Sequence, residues 1–243
     1  MDLVWVMFGV AAFIVGLGKG GLGGMVGALI TAMMALVLPP EKVIGLALPL
    51  LIVGDAFAVT VHWGRWDRDL IRQLVPSAII GVILSTYFLY QITGEGLRLT
   101  LGVLVIAFVI YKLLEGRLLR KLAYQPQRHH GWAAGVVSGI TSTLAHGGGP
   151  PLSIFLVLQD LKPEKFAATA AFFFFVLNWM KVPSYWFSGL FDGALIRSAL
   201  WVVPLVPLGV WTGKWLVGRV GQQVFKQVIL FLLGVSGILL LLK

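Results

Sequence analysis

Ten apolar stretches alternate with short polar or glycine-rich joints along this chain, at approximately 3–17, 24–38, 43–62, 70–90, 97–114, 131–145, 150–159, 166–187, 195–216 and 226–242. A helix rises about 1.5 Å per residue, so about 20 apolar residues cross the hydrocarbon of a bilayer. Six stretches reach that length within boundary error: 43–62, 70–90, 97–114, 166–187, 195–216 and 226–242. The other four are shorter and form two pairs. Glycines join each pair, Gly16 to Gly24 in the first and Gly147 to Gly149 in the second.

The pattern repeats along the chain. Pro40-Glu41-Lys42 recurs as Pro163-Glu164-Lys165, Asp55 falls opposite Asn178, and Trp63 opposite Trp186, all at an offset of 123. Leu70-Ile71-Arg72 recurs as Leu195-Ile196-Arg197 and Gly81-Val82 as Gly209-Val210, the latter at an offset of 128. Their common order implies an internal duplication with small insertions. If each glycine-broken pair enters and leaves by one face, each half has three full spans, and an odd number of spans turns the second copy upside down.

The predicted fold is therefore an all-α integral membrane protein of two inverted repeats, each with a glycine-broken helical hairpin plus three transmembrane helices. It is read as a single membrane transport domain over 1–243: repeat one 1–115, cytoplasmic linker 116–130, repeat two 131–243. Charge agrees with inversion. With the basic loop 115–130 in the cytoplasm, eleven Lys and Arg side chains fall inside, among them Arg65, Arg68, Lys162, Lys165 and Arg219. Lys42, Arg98, Arg197 and Lys243 stay outside, the asymmetry expected of a bacterial inner membrane protein. A parallel arrangement demands one helix over 3–38, far too long for a bilayer. Inversion leaves both termini outside.

Composition narrows the class. The chain is 58% hydrophobic and 12% charged, against about 25% charged in soluble domains. Its formal charge of +9 sits in short loops, which argues for membrane topology and against nucleic acid as a partner. Cysteine is absent, so disulfide and thiolate chemistry are excluded. Asp2 is the one charged side chain before the first stretch, and no small-residue cleavage site follows. Residues 3–17 are thus expected as mature structure.

The glycine clusters carry the chemistry. Non-helical backbone inside a bilayer persists only where it lines protein or a watery cavity, and matched breaks in two halves point to a binding site. Half-helices starting near Gly24 and Pro151 would turn free N–H groups and positive dipole ends toward the membrane centre, an environment for an anion. Candidate substrate-binding residues are Lys19, Gly20, Gly21, Gly23, Gly24, His146, Gly147, Gly148, Gly149, Asn178 and Lys181. Asp55 and His146 are candidates for proton coupling, because ionisable groups at this depth are costly unless used. The blander alternatives are glycines serving helix packing, and a structural ion pair between Asp55 and Lys181. Thr141, Ser142 and Thr143 either donate hydroxyls or cap half-helices. No catalytic constellation, metal site or cofactor motif is visible.

With GLGKGGLGG at 16–24, HGGGPP at 146–151 and a proline-lysine step after each hairpin at 39–42 and 162–165, the chain resembles the TauE/SafE sulfite-exporter family, also called the toluene-sulfonate uptake permease family. The resemblance covers essentially the whole chain. It implies transport of sulfite, sulfonates, sulfoacetate or a similar small organic anion, driven by an ion gradient. The expected partners are a small anionic substrate, a coupling proton and membrane lipid; assembly as a homodimer is left open. The competing reading is a passive anion channel or a non-transporting membrane subunit.

Overall fold

The computed structural model describes residues 3–21, 26–121, 127–191, 193, 196–197, 200–220 and 222–243. Among them it is all helix: α1 Leu3–Gly21, α2 Val26–Ala35, α3 Pro40–Val61, α4 Arg68–Gln91, α5 Gly94–Lys121, α6 Arg128–Ala145, α7 Gly149–Val157, α8 Pro163–Phe187, a 3₁₀ turn Leu200–Val202, α9 Leu205–Val220 and α10 Gln222–Leu242. Four are long and apolar enough to cross a bilayer: α3, α4, the Gly94–Gly116 part of α5, and α8.

Two boundaries differ from the sequence reading. Helix α1 runs on through Gly16, Gly18, Gly20 and Gly21, so the first break starts later than expected. Glycine permits a break but does not compel one, and here it allows close packing. A Cβ on Gly16 would lie 2.1 Å from the Val206 carbonyl oxygen, and one on Gly18 would overlap Val26. Gly23 and Gly24 lie outside the described residues. The stretch 195–216 is also not one helix. Pro204 has no N–H to continue a ladder and disfavours helical geometry at the residue before it. The 3₁₀ turn stops at Val202, and α9 starts afresh at Leu205.

The repeated Pro-Glu-Lys motif has one structural meaning in both places. Pro40 and Pro163 each occupy the first helical position, of α3 and α8, with Glu41 or Glu164 in the first turn. Proline loses nothing there and a carboxylate suits the positive end of the helix.

The helix pairings correspond at the sequence offsets of 123 and 128. Helix α1 packs along α9, α4 packs along α6, α3 meets α8 and α5 meets α10. The contacts correspond residue by residue. Gly81 abuts the Val136 carbonyl and the Ile140 N–H, while Gly209 abuts the Phe13 carbonyl and the Leu17 N–H. Phe13 and Val136, like Leu17 and Ile140, stand 123 residues apart. Gly16 rests on Gly209, and Gly139 rests on Gly81, at the same pair of offsets. The helix that opens each half, α1 or α6, thus lies against the fourth helix of the other half, α9 or α4.

One end of the bundle is tied across the two halves by polar contacts. Asp67 caps α4, its Oδ1 accepting from the N–H groups of Asp69 at 3.0 Å and Leu70 at 3.1 Å. Its Oδ2 meets Lys165 Nζ at 2.7 Å, and its own N–H donates to Thr169 Oγ1 at 2.9 Å. Lys165 holds the Asp67 carboxyl below the usual carboxylate range, chiefly through that hydrogen bond.

Candidate functional site

The second break is short and well defined. Helix α6 ends at Ala145, and His146 follows in the left-handed region with φ 50°. The His146 N–H donates to the Ser142 carbonyl, the bond of an αL-type helix end, and the Gly147 N–H donates to the Thr141 carbonyl. Glycine fits that backbone without strain, whereas histidine adopts it less readily. Histidine holds the place although three glycines follow it. Helix α7 then opens at Gly149 with Pro150 and Pro151 in its first turn. Both prolines lack an N–H, so this helix end presents fewer free donors than the sequence reading assumed.

The two hairpin regions meet. A Cβ on Gly27, in the first turn of α2, would lie 2.6 Å from the His146 carbonyl oxygen, so that approach requires glycine. Ala28 lies beside Gly147. Next to this meeting point is a cavity of about 20 Å³, lined by Lys19 from α1, Val26 and Gly27 from α2, Leu51 from α3, Ser142 and His146 from the end of α6, and Phe174 and Asn178 from α8. Its walls pair up at the duplication offset: Lys19 with Ser142, and Leu51 with Phe174, each 123 apart. The cavity thus lies where the two halves face each other, and it has room for one water-sized group.

Two polar clusters flank it. In the first, Asp55 is fully buried. Lys19 Nζ donates to its Oδ1, and Asn178 Nδ2 donates to its Oδ2 at 2.5 Å. In the second, Lys181, also fully buried, reaches Ser142 O at 3.2 Å, Ser142 Oγ at 3.1 Å and His146 Nδ1 at 2.9 Å. His146 Nε2 lies 3.1 Å from the Ile44 carbonyl oxygen. A carbonyl only accepts, so Nε2 carries a hydrogen; with Lys181 as ammonium, Nδ1 accepts and the imidazole is neutral. Tyr185 closes the back of this cluster, its hydroxyl donating to the Thr143 carbonyl at 2.6 Å.

The sequence-predicted residues divide accordingly. Lys19, His146 and Asn178 line the cavity, Asp55 and Lys181 stand directly behind it, and Gly148 packs on Ser142 and Phe174. Gly147 turns instead toward a separate cavity of about 160 Å³ between α5 and the start of α7. Gly20 and Gly21 end α1 as helical residues. The alternative of an Asp55–Lys181 ion pair does not form: Lys19 pairs with the carboxylate, and Lys181 turns to Ser142 and His146. Thr141 and Thr143 bond back to the carbonyls of Val137 and Gly139 on their own helix, whereas Ser142 serves Lys181. Sequence reasoning named Ser142 as a hydroxyl donor or a helix cap, and it did not single out Leu51, Phe174 or Gly27. The offset of 123 carried a further signal for Ser142, since it maps Lys19 onto it. A larger groove of about 640 Å³ between α4 and α8 is almost wholly apolar and faces outward through Ile83, Tyr87 and Phe187. It is distant in character from the charged cluster. Among the described residues there is no group of acidic and histidine side chains able to hold a metal ion.

Several helices long and apolar enough to cross a bilayer, packed around a buried, charged cavity, define the class as a multi-pass membrane protein. The chain belongs to the sulfite exporter TauE/SafE family, whose model matches residues 8–240. It is also similar to a probable membrane transporter protein, YtnM, of Bacillus subtilis (strain 168), with 25% identity over 164 residues. That match takes in 59% of this chain and 55% of the relative, so it spans about half the relative's length. No solved structure matches the chain.

Proposed function

We propose that the protein is a secondary active transporter of a small anion, such as sulfite, a sulfonate, sulfoacetate or a similar organic anion, in a bacterial inner membrane. The observation that carries this reading is the buried cluster of Lys19, Asp55, His146, Asn178 and Lys181 around a cavity where two hairpin regions meet. When both lysines carry their protons, two ammonium groups against one buried carboxylate give the site an excess of positive charge, which an anion offsets. The cavity is too small for an anion with several oxygens, so binding requires the tips at Gly27 and His146 to part. That suits the closed state of a carrier better than an open pore.

The mechanism follows from the corresponding pairings. Repeat one, 1–115, and repeat two, 131–243, are inverted copies joined by the cytoplasmic linker 116–130, and they rock about the shared cavity to expose it on one face and then the other. Substrate meets Lys19, His146, Asn178 and Lys181 with the backbone of the two breaks. A coupling proton is carried within the cluster formed by Asp55, His146 and their partners.

Flux of sulfite and of sulfonates into proteoliposomes, with an imposed pH gradient, tests the reading. Uphill accumulation is expected. Flux that only dissipates a gradient would favour a channel, and no flux across a broad anion panel would remove the transporter assignment to anions altogether.

A further inference from the structure

Lys181 is fully buried, and its three polar contacts are all to neutral acceptors: the Ser142 carbonyl, the Ser142 hydroxyl and the His146 imidazole. Asp55 is the one buried carboxylate among the described residues, and both of its oxygens are already taken by Lys19 and Asn178. The groups facing Lys181 are therefore Ser142 and His146 from α6, Tyr185 one turn along α8 with its ring 6.0 Å from Nζ, and, across Asn178, the Lys19–Asp55 pair from α1 and α3. The pair is neutral as a unit. Lys181 has no carboxylate within ion-pair distance, and the pull of Asp55 on it is opposed by Lys19.

An isolated buried charge is unfavourable, and the interior offers two remedies: an opposite charge beside it, or loss of its proton. The same ammonium is subject to both. Anion binding favours the protonated form, and by reciprocity protonation favours anion binding. His146 supplies the route. Between Nζ and Nδ1, 2.9 Å apart, one hydrogen fits.

We infer that Lys181 is the proton-linked anion partner of this protein, an ammonium when the anion is bound and an amine when the site is empty, with His146 relaying the proton. This rests on the anion-transporter reading and assigns its coupling step to Lys181 in place of Asp55. On anion release an N–H bond of Lys181 breaks, its electron pair stays on Nζ, and the proton bonds to His146 Nδ1. The resulting imidazolium still donates from Nε2 to Ile44. It then gives the Nδ1 proton to water admitted as the hairpin tips part, and the neutral imidazole is restored. One anion thus travels with one proton, and the transfer is electroneutral for a monoanion.

The test uses the full chain in lipid nanodiscs, with methanesulfonate and benzenesulfonate as probes because their charge is constant from about pH 5.5 to 9. Titration calorimetry in buffers of different ionisation heat gives affinity and proton uptake together. The expected result is uptake of about one proton per anion, and an affinity that falls about tenfold per pH unit above its midpoint. Lys181→Arg, which keeps its proton, should bind with neither pH dependence nor uptake. If arginine is not accommodated, Lys181→Gln should bind weakly and take up no proton. Wild-type binding without proton uptake at any pH would overturn the inference while leaving anion transport standing, as would either variant retaining the wild-type pH profile. Failure of the wild type to bind either probe would count against both.

Discussion

Asn178 donates a hydrogen bond to Asp55 at 2.5 Å, and the two residues occupy the same position in the two halves of the chain, 123 residues apart. The bond joins α3 to α8, the two helices that open with the same Pro-Glu-Lys motif, and its two ends differ in chemistry. One half contributes a carboxylate, the other the amide that serves it; Lys19 in the first half is answered by Ser142 in the second. Two identical carboxylates at this spot would repel each other, so the pair is stable because it is unlike.

The Lys19–Asp55 pair should behave as a unit. Asp55→Leu strands the Lys19 ammonium, and Lys19→Met strands the carboxylate, each at a cost of about 3–5 kcal/mol. The double variant should recover most of that loss, since both charges are then gone. Thermal unfolding of the three variants in detergent measures the coupling. Additive losses would show that the two side chains do not depend on each other.

Gly81 and Gly209 make the same contact in the two halves. An added Cβ would lie 2.2 Å from the Val136 carbonyl oxygen in one case and 2.2 Å from that of Phe13 in the other. Gly81→Ala and Gly209→Ala should each destabilise by about 1–3 kcal/mol, the usual cost of overpacking. Gly234→Ala, where the nearest atom is Val109 Cγ1 at 4.0 Å, should be neutral or stabilise by up to about 1 kcal/mol through helix propensity. Melting temperatures of the three variants decide this.

His146→Gly separates backbone from side chain. Glycine relieves the left-handed residue, so the fold should persist, with a net loss of no more than about 2 kcal/mol from the orphaned Lys181 contact. Transport should nevertheless fall at least about tenfold, as a lost hydrogen bond to a charged group implies. Proteoliposome flux beside a thermal melt tests both halves; a variant with normal flux would limit His146 to capping α6.

Asp67 gives a pH signature away from the cavity. Its folded-state acidity is increased by Lys165, so its contribution is complete above the ordinary carboxylate value and is lost as the pH falls through the lowered one. Asp67→Ala should cost about 1 kcal/mol at neutral pH, the usual value of a helix cap. The difference between wild type and variant should be constant from neutral down to about pH 4.5 and shrink below it. Melts across that range supply the comparison.

Much of this architecture was legible in the residues. Apolar run lengths placed α3, α4, α5 and α8, because bilayer thickness dictates a helix length and proline marks a first turn, as Pro40 and Pro163 do. The offset of 123 paired residues that turn out to touch, Asp55 with Asn178, and the cost of burying Asp55, Asn178 and Lys181 pointed to the buried polar cluster they join. What a linear reading could not supply was pairing. Glycine licenses both a break and a close approach, and only packing shows that Gly16 chose Gly209 while His146 took the turn. Nor could spacing reveal that Lys19, and not Lys181, neutralises Asp55. Partner choice at buried charges is decided by which helix faces which, and that depends on every contact in the bundle at once.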